Sequence, residues 1–142
     1  MRVVVLNGVN LGRLGVRQPG IYGGLSHSAL ADHLVETGRG LGLEVEVRQS
    51  DSEAEYVGWL HQAAEEGCAV VVNPGAWTHY SIAIADAVVQ VKLAVEVHIS
   101  NIHAREEFRR HSVISPYVRG TIAGLGTAGY DLALAYLASV AE

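Results

Sequence analysis

The sequence is short of cysteine, of lysine and of long apolar runs. Its single cysteine, Cys68, cannot form an internal disulfide, so nothing indicates an oxidising compartment. The apolar run at residues 3–6 is far too short for a membrane span or for the apolar segment of a signal peptide. We therefore expect a soluble, cytoplasmic protein that does not bind membranes.

The chain has fewer positively charged than negatively charged residues. Ten Lys and Arg residues stand against fifteen Asp and Glu residues, which gives a net charge of -5, and Lys92 is the one lysine. A general nucleic-acid binder or a binder of anionic membranes needs a basic face, so this balance argues against both classes. Charged residues make up 18% of the chain. This is below the roughly 25% of an average soluble domain, so we expect an unusual share of the surface to be covered.

The length and the strand pattern indicate the fold class. A single domain over residues 1–142 is favoured, because two cores would leave each half with only about 70 residues. The runs at 3–6 and 70–72 are continuously apolar, which is typical of strands covered on both faces of a parallel sheet. Residues 43–47 alternate instead, which suits an edge strand. In all, five β-rich runs recur at fairly even intervals, at residues 3–7, 43–48, 69–73, 94–99 and 118–123.

Helical patterns separate these strands. We expect the first helix to begin near Ser26 or Ser28, the third near residues 81–91 and the last after Gly129. Residues 50–53 have the Ser-x-x-Glu spacing of a capping box, which predicts the start of the second helix. Strands alternating with helices predict a three-layer α/β fold with a five-stranded parallel sheet in the order 2-1-3-4-5. In such folds, ligands bind outside the carboxyl ends of the strands.

A glycine-rich loop follows the first strand. Six of the sixteen glycines lie between positions 8 and 24, and the same loop carries Arg17 and Tyr22. Such glycine spacing suits a mobile active-site lid, although a solvated surface loop has the same composition. It is not a Walker loop, because Gly15 and Gly20 are not followed by Lys and Ser or Thr.

The fourth strand and the segment after it carry the most informative side chains. Glu96 and His98 stand two residues apart, so they share one face of a strand whose interior disfavours unpaired charge. The pair is either a structural hydrogen bond or a histidine oriented by Glu96 for general acid–base work. Arg105 and Arg109 have the i, i+4 spacing of one helix face. Such runs are usually solvated surface, but here they follow the strand that carries His98, and guanidinium groups bind carboxylates.

Two weaker signals are discounted. The glycines at 124, 126 and 129 match a dinucleotide fingerprint, but only thirteen residues follow Gly129, so we interpret them as tight packing between a strand and a helix. The seven histidines form no metal motif, since His98 and His103 are five apart and no HExxH occurs. We expect no metal.

The residues at the predicted strand ends closely resemble one family, type II 3-dehydroquinate dehydratase. The matching segments are NGVNLGRLG from residue 7, the Arg17 and Tyr22-Gly pair, NPGAWTH from residue 73, EVHISN from residue 96 and REEFRR from residue 105. They cover essentially the whole chain in order. The resemblance implies a flavodoxin-like fold, a dodecameric homo-oligomer, no cofactor, and the shikimate-pathway dehydration of 3-dehydroquinate to 3-dehydroshikimate.

The resemblance also implies a role for each matching residue. Tyr22 matches the base that removes the C2 proton, and Arg17 matches the lid arginine that activates this tyrosine and stabilises the enolate. His98 matches the acid that protonates the leaving C1 hydroxyl, with Glu96 orienting it, and Asn10 matches the residue that holds an assisting water. Substrate contacts match Asn73, His79, Ile99, Ser100 and Arg109, together with Asp86 reaching from a neighbouring subunit.

The chain departs from the family's usual residues at three positions, and two other functions compete. Val9 stands where Pro is common, Tyr80 where a small residue is common, and Ala85 where Arg is common, beside Asp86. A non-catalytic binder of a hydroxy-acid anion would keep the same pocket. Retention of both Tyr22 and His98 speaks against it, because binding alone needs no base and acid together. FMN binding is disfavoured, because no Ser/Thr-rich phosphate loop follows the first strand.

Overall fold

The fold is built on one sheet of five parallel strands. The computed structural model describes residues 1–16 and 24–141. The strands in this part of the chain pair in the order β2-β1-β3-β4-β5, and every pair is parallel. The predicted α/β class, strand number and order 2-1-3-4-5 are therefore confirmed. The strands are β1 (Arg2–Asn7), β2 (Glu44–Gln49), β3 (Ala69–Asn73), β4 (Ala94–His98) and β5 (Gly120–Ala123).

The helices begin at serine caps in three of four cases. Ser26 accepts a hydrogen bond from the Ala29 amide and so caps the first helix at one of the two expected positions. The capping-box prediction is wrong by two residues: Ser52 caps the second helix, while Ser50 accepts from the Ser52 amide. The third helix ends three residues earlier than expected. The helices are α1 (His27–Gly40), α2 (Glu53–Glu66), α3 (Ile82–Val88) and α4 (Ala128–Val140).

The sheet is covered on both faces, as its apolar strands require. Because side chains alternate along a strand, Val3 and Val5 pack against α1 and α4, while Val4 and Leu6 pack against α2 and α3. β2 lies at one edge and shows partly exposed side chains, which confirms the edge position predicted from its alternating pattern. No helix in the described part of the chain is both long and apolar enough to cross a bilayer.

Two glycines bring the loops after β1 and β3 into backbone contact. A Cβ on Gly8 would lie 2.3 Å from the carbonyl oxygen of Pro74, and one on Gly75 would lie 2.7 Å from that of Val9. The Gly8 amide donates to the Asn73 carbonyl at 2.8 Å. The two loops therefore lie in direct contact at the carboxyl edge of the sheet, with no room for a side chain at either glycine. At the far strand, Gly129 packs against Ile122 and Val97, as the packing interpretation of its glycine motif predicts.

Candidate active site

Side chains from the ends of β1, β3 and β4 line one cleft at the carboxyl edge of the sheet. Asp86 is not among them: it lies exposed on α3 and does not line this cleft. Arg17 and Tyr22 lie outside the described residues. Of the residues singled out in the sequence, the cleft brings together Asn10, Asn73, His79, His98, Ile99, Ser100 and Arg109.

Glu96 lies directly behind His98 and is fully buried. Its Oε2 atom is 2.5 Å from His98 Nε2 and accepts hydrogen bonds from Thr78 at 3.0 Å and from Ser112 at 2.8 Å. Its Oε1 atom accepts from Ser115 at 2.5 Å, and Thr121 lies at 3.4 Å. These hydroxyls are the partners that a buried carboxylate requires, and the sequence alone did not identify them.

The hydrogen bonds keep this carboxylate ionised. Burial by itself raises the pKa of Glu96, but the hydrogen bond and charge of His98, with the hydroxyls of Ser115 and Ser112, outweigh burial and leave the pKa below its usual value. An ionised carboxylate only accepts hydrogen bonds, so the Nε2 atom of His98 carries a proton. The Nδ1 atom is the other ring nitrogen of this cleft residue.

His79 has the opposite arrangement of ring nitrogens. Its Nδ1 atom donates to the main-chain carbonyl of His111 at 2.8 Å, which leaves Nε2 as an acceptor. Burial lowers the pKa of His79, and the charges of His98, Arg109 and Arg105 lower it further against the effect of the His111 hydrogen bond. His79 is therefore neutral at pH 7, and in the cleft it can accept a hydrogen bond from a ligand hydroxyl.

Arg105 and Arg109 line the cleft, but the prediction that they share one helix face is wrong. The segment forms two 3₁₀ turns, Ile102–Ala104 and Glu107–Arg109, and Arg105 between them is extended. Glu106 holds both guanidinium groups, with its carboxylate oxygens 3.2 Å from Arg109 Nε and 3.8 Å from Arg105 Nε. Two guanidinium groups that line one cleft suit an anionic ligand.

Arg105 was not among the predicted site residues, although its spacing to Arg109 pointed to it.

Asn10 is the other distinctive residue at the rim, because it has a φ of 69° and no other non-glycine residue in the described ranges has a positive φ. Its amide donates to Asp51 at 2.8 Å, which holds this left-handed turn in place. Backbone strain of this kind is common at functional sites.

Taken together, the cleft offers proton transfer beside an anion-binding face. His98 has a buried carboxylate behind it, His79 is a neutral acceptor, and the two arginines are paired through Glu106. The described residues contain no group of three or more His, Cys, Asp or Glu side chains placed to hold a metal. This set of groups suits acid–base chemistry on a small carboxylate that also carries hydroxyls.

Comparisons with known proteins agree with this arrangement. The family model for dehydroquinase class II matches residues 1–138. The chain is 58% identical to a 3-dehydroquinate dehydratase of Salinispora tropica, with 100% of each protein covered. It is 62% identical to a type II dehydroquinase from Propionibacterium acnes, whose crystal structure matches with a TM-score of 0.96 over 97% of this chain and 96% of that one. A type II dehydroquinase structure from Butyrivibrio crossotus is 41% identical, with a TM-score of 0.94 over 96% and 97% of the two chains.

Proposed function

Because the chain belongs to the class II dehydroquinase family, whose members are 3-dehydroquinate dehydratases, we propose that this hydro-lyase eliminates water from 3-dehydroquinate with Tyr22 as the base and His98 as the acid. Tyr22, as a phenolate, takes the C2 proton, and the electron pair moves into the C3 carbonyl to give an enolate. The enolate collapses to the conjugated enone as the C1–O bond breaks. His98 protonates the departing hydroxyl, and the products are 3-dehydroshikimate and water.

The buried pair of Glu96 and His98 is the observation that carries this proposal. The carboxylate, 2.5 Å from Nε2, fixes the orientation of the imidazole, and Nδ1 is the other ring nitrogen of this cleft residue. A purely structural pair would not need one partner to line a ligand cleft. The pair therefore supports His98 as the group that delivers a proton to a leaving oxygen.

The base needs help, because an ordinary tyrosine with a pKa near 10 is almost entirely protonated at pH 7. Arg17 is the proposed source of that help, since each unit by which a cation lowers the pKa corresponds to about 1.4 kcal/mol. Both residues lie outside the described ranges, between Gly15 and Gly24. A Cβ on Gly15 would lie 3.0 Å from the Gly24 carbonyl oxygen, so Gly15 and Gly24 lie in close contact.

The remaining cleft residues are proposed to bind and orient the substrate. Arg109, with Arg105 beside it, provides the positive charge for the substrate carboxylate, and His79 accepts from a hydroxyl through Nε2. The side chains of Asn73 and Ser100 and the main chain of Ile99 provide further polar contacts at the strand ends, and Asn10 holds the water that assists enolate formation. The proposed chemistry uses only side chains and water.

The outward face of α3 supports the proposal of a homo-oligomer, a dodecamer as in the family. Ile82 and Val89 are 69% and 56% exposed, which is unusual for large apolar side chains, and Tyr80 next to the helix is 63% exposed. Asp86 lies exposed on the same short helix. Packing of this face on a neighbouring subunit would cover the apolar side chains and bring Asp86 into that subunit's cleft.

Turnover and its dependence on Tyr22 test the proposal directly. The purified protein should convert 3-dehydroquinate to a conjugated enone, followed by ultraviolet absorbance. Tyr22→Phe should lower kcat by at least about 10²-fold, the usual contribution of a general base, while the substrate still binds. Tyr117→Phe is the matched control, because Tyr117 is half-exposed and away from the cleft. Binding without turnover in the wild-type protein would favour the anion-binder alternative, and near-normal turnover of Tyr22→Phe would exclude Tyr22 as the base.

A further inference from the structure

A chain of buried hydrogen bonds runs beneath the cleft and is not used by the proposed mechanism. Asn7 and Asn73 end the neighbouring strands β1 and β3 in the same register position, and both are buried. The hydroxyl of Tyr130, at the start of α4, lies between them, 2.7 Å from Asn7 Oδ1 and 2.8 Å from Asn73 Nδ2. The chain continues from Asn7 Nδ2 to His27 Nε2 at 3.0 Å.

One main-chain amide fixes the direction of every bond in this chain. The Gly75 N–H can only donate, and it lies 3.2 Å from Asn73 Oδ1, so that atom is the amide oxygen. The nitrogen of Asn73 must then donate to Tyr130, whose single proton goes to Asn7 Oδ1. The Asn7 nitrogen in turn donates to His27 Nε2, which is therefore unprotonated.

The environment of the chain agrees with these assignments. Tyr130 is fully buried, and burial raises its pKa well above the ordinary value despite the hydrogen bond from Asn73, so it remains a phenol. Burial also lowers the pKa of His27, which favours the neutral ring that an acceptor Nε2 requires. A flipped Asn73 would turn its oxygen towards a hydroxyl that has no second proton to give.

We propose that Tyr130 is a positioning residue for the dehydration: together with the Gly75 amide, it holds the Asn73 amide so that its nitrogen is the donor presented to a substrate oxygen. The inference rests on the proposed function for the identity of the substrate. Asn73 lines the cleft, so the lock acts on a group within reach of the ligand. Tyr130 thereby makes the site favour a substrate with a hydrogen-bond acceptor opposite Asn73.

A second buried tyrosine supplies a matched control. Tyr56 is equally buried and its hydroxyl donates to the Leu6 carbonyl at 2.8 Å, but it packs on the opposite face of the sheet. Tyr56→Phe and Tyr130→Phe each remove one buried hydroxyl and should both lower Tm. A purely structural role for Tyr130 would make the two variants alike in every kinetic parameter.

The experiment compares steady-state turnover of 3-dehydroquinate in these variants. Tyr130→Phe should raise KM roughly threefold to tenfold, the loss of one oriented hydrogen bond, with a much smaller change in kcat. Tyr56→Phe should leave KM unchanged. In an Asn73→Ala background Tyr130→Phe should have no further effect on KM, because the group that it positions is gone.

The outcomes separate this inference from the proposed function. A wild-type protein that does not turn over 3-dehydroquinate would overturn the proposed function. Normal wild-type turnover with an unchanged KM in Tyr130→Phe, or an effect that adds fully to that of Asn73→Ala, would overturn the positioning role alone. If Tyr130→Phe does not fold, Asn7→Leu tests the same lock by removing the acceptor for the Tyr130 proton, and it should raise KM in the same way.

Discussion

Replacement of Glu96 by glutamine is the sharpest test of the buried pair, because it changes charge with almost no change in shape. The carboxylate is fully buried and accepts four hydrogen bonds of 3.0 Å or less, from His98, Thr78, Ser112 and Ser115. The glutamine amide keeps one acceptor oxygen, but its NH₂ group points towards hydroxyls that donate to the carboxylate in the wild-type protein. The hydroxyls can rotate to adapt, but His98 loses its anionic partner.

The magnitude follows from the difference between charged and neutral hydrogen bonds. Bonds to a charged group contribute about 1.5–3 kcal/mol and neutral ones about 0.5–1.5, so four bonds lose about 4 kcal/mol in total. Removing a buried charge returns part of this loss, because a desolvated carboxylate costs several kcal/mol. We expect a net loss of about 1–3 kcal/mol in the free energy of unfolding. Since general acid catalysis contributes about 10²–10⁴-fold, kcat should fall by at least 10²-fold.

The stability difference should depend on pH in a defined direction. The pKa of Glu96 is lower in the folded protein than in the unfolded chain, where it is near 4.3. Its stabilising contribution is therefore complete above that value and is lost as the pH falls through the folded-state pKa. Glutamine does not titrate, so the stability gap between the wild type and Glu96→Gln should be widest at neutral pH and should narrow in acid.

Urea unfolding at several pH values and turnover of 3-dehydroquinate measure the two effects. Glu46→Gln is the control, because Glu46 is a half-exposed strand residue paired with Arg48, and exposed pairs contribute about 0–1 kcal/mol. Glu96→Gln with wild-type kcat would refute the role of the carboxylate in catalysis. A stability gap that stays constant into acid would refute the ionised, hydrogen-bonded state assigned to Glu96.

Two further predictions concern the assembly and the loop contact. Asp86→Ala chains should bind the substrate more weakly, and His98→Gln chains should be nearly inactive. When the two are co-expressed, about a quarter of the sites in a random mixture combine two intact residues, so turnover at low substrate concentration should exceed that of either variant alone. No recovery would contradict the placement of Asp86 in a neighbour's cleft. Gly8→Ala should destabilise the fold by about 1–3 kcal/mol in urea and lower turnover, because its Cβ would lie 2.3 Å from the Pro74 carbonyl. Gly58→Ala, at an exposed helix position with open space, should instead stabilise by about 0.5–1 kcal/mol, and equal effects of the two changes would refute the contact argument.

The sheet and the core of the site could be predicted because they depend on short-range patterns. The apolar run at residues 3–6 and the alternation at 43–47 distinguish a central strand from an edge strand. The two-residue spacing of Glu96 and His98 places them on one strand face, where the structure has them in contact. Since parallel strands all end at one edge, the polar residues that follow them fall into one cleft.

The errors arise where the sequence supports two local structures equally. Both Ser50 and Ser52 precede a glutamate by three residues, and the length of β2 decides which of them caps the helix. Arg105 and Arg109 have helical spacing, but Asn101 accepts from the His103 amide and begins a short turn instead. In both cases, residues outside the motif determine which local structure forms.

The partners of Glu96 were beyond prediction for a different reason. Thr78, Ser112, Ser115 and Thr121 come from three separate parts of the chain. Serine and threonine are common in turns, and nothing in their local sequence marks these four. The Tyr130 chain is of the same kind, because its hydrogen bonds join residues up to 123 positions apart.

The complete burial of Glu96 limits the side from which the His98 ring can exchange a proton. The Nε2 side of His98 is sealed by the carboxylate and its hydroxyls, so in the described part of the protein the ring meets the cleft through its other side. In the proposed mechanism, the proton that His98 gives to the leaving oxygen is therefore replaced from the cleft, the side from which the product also leaves.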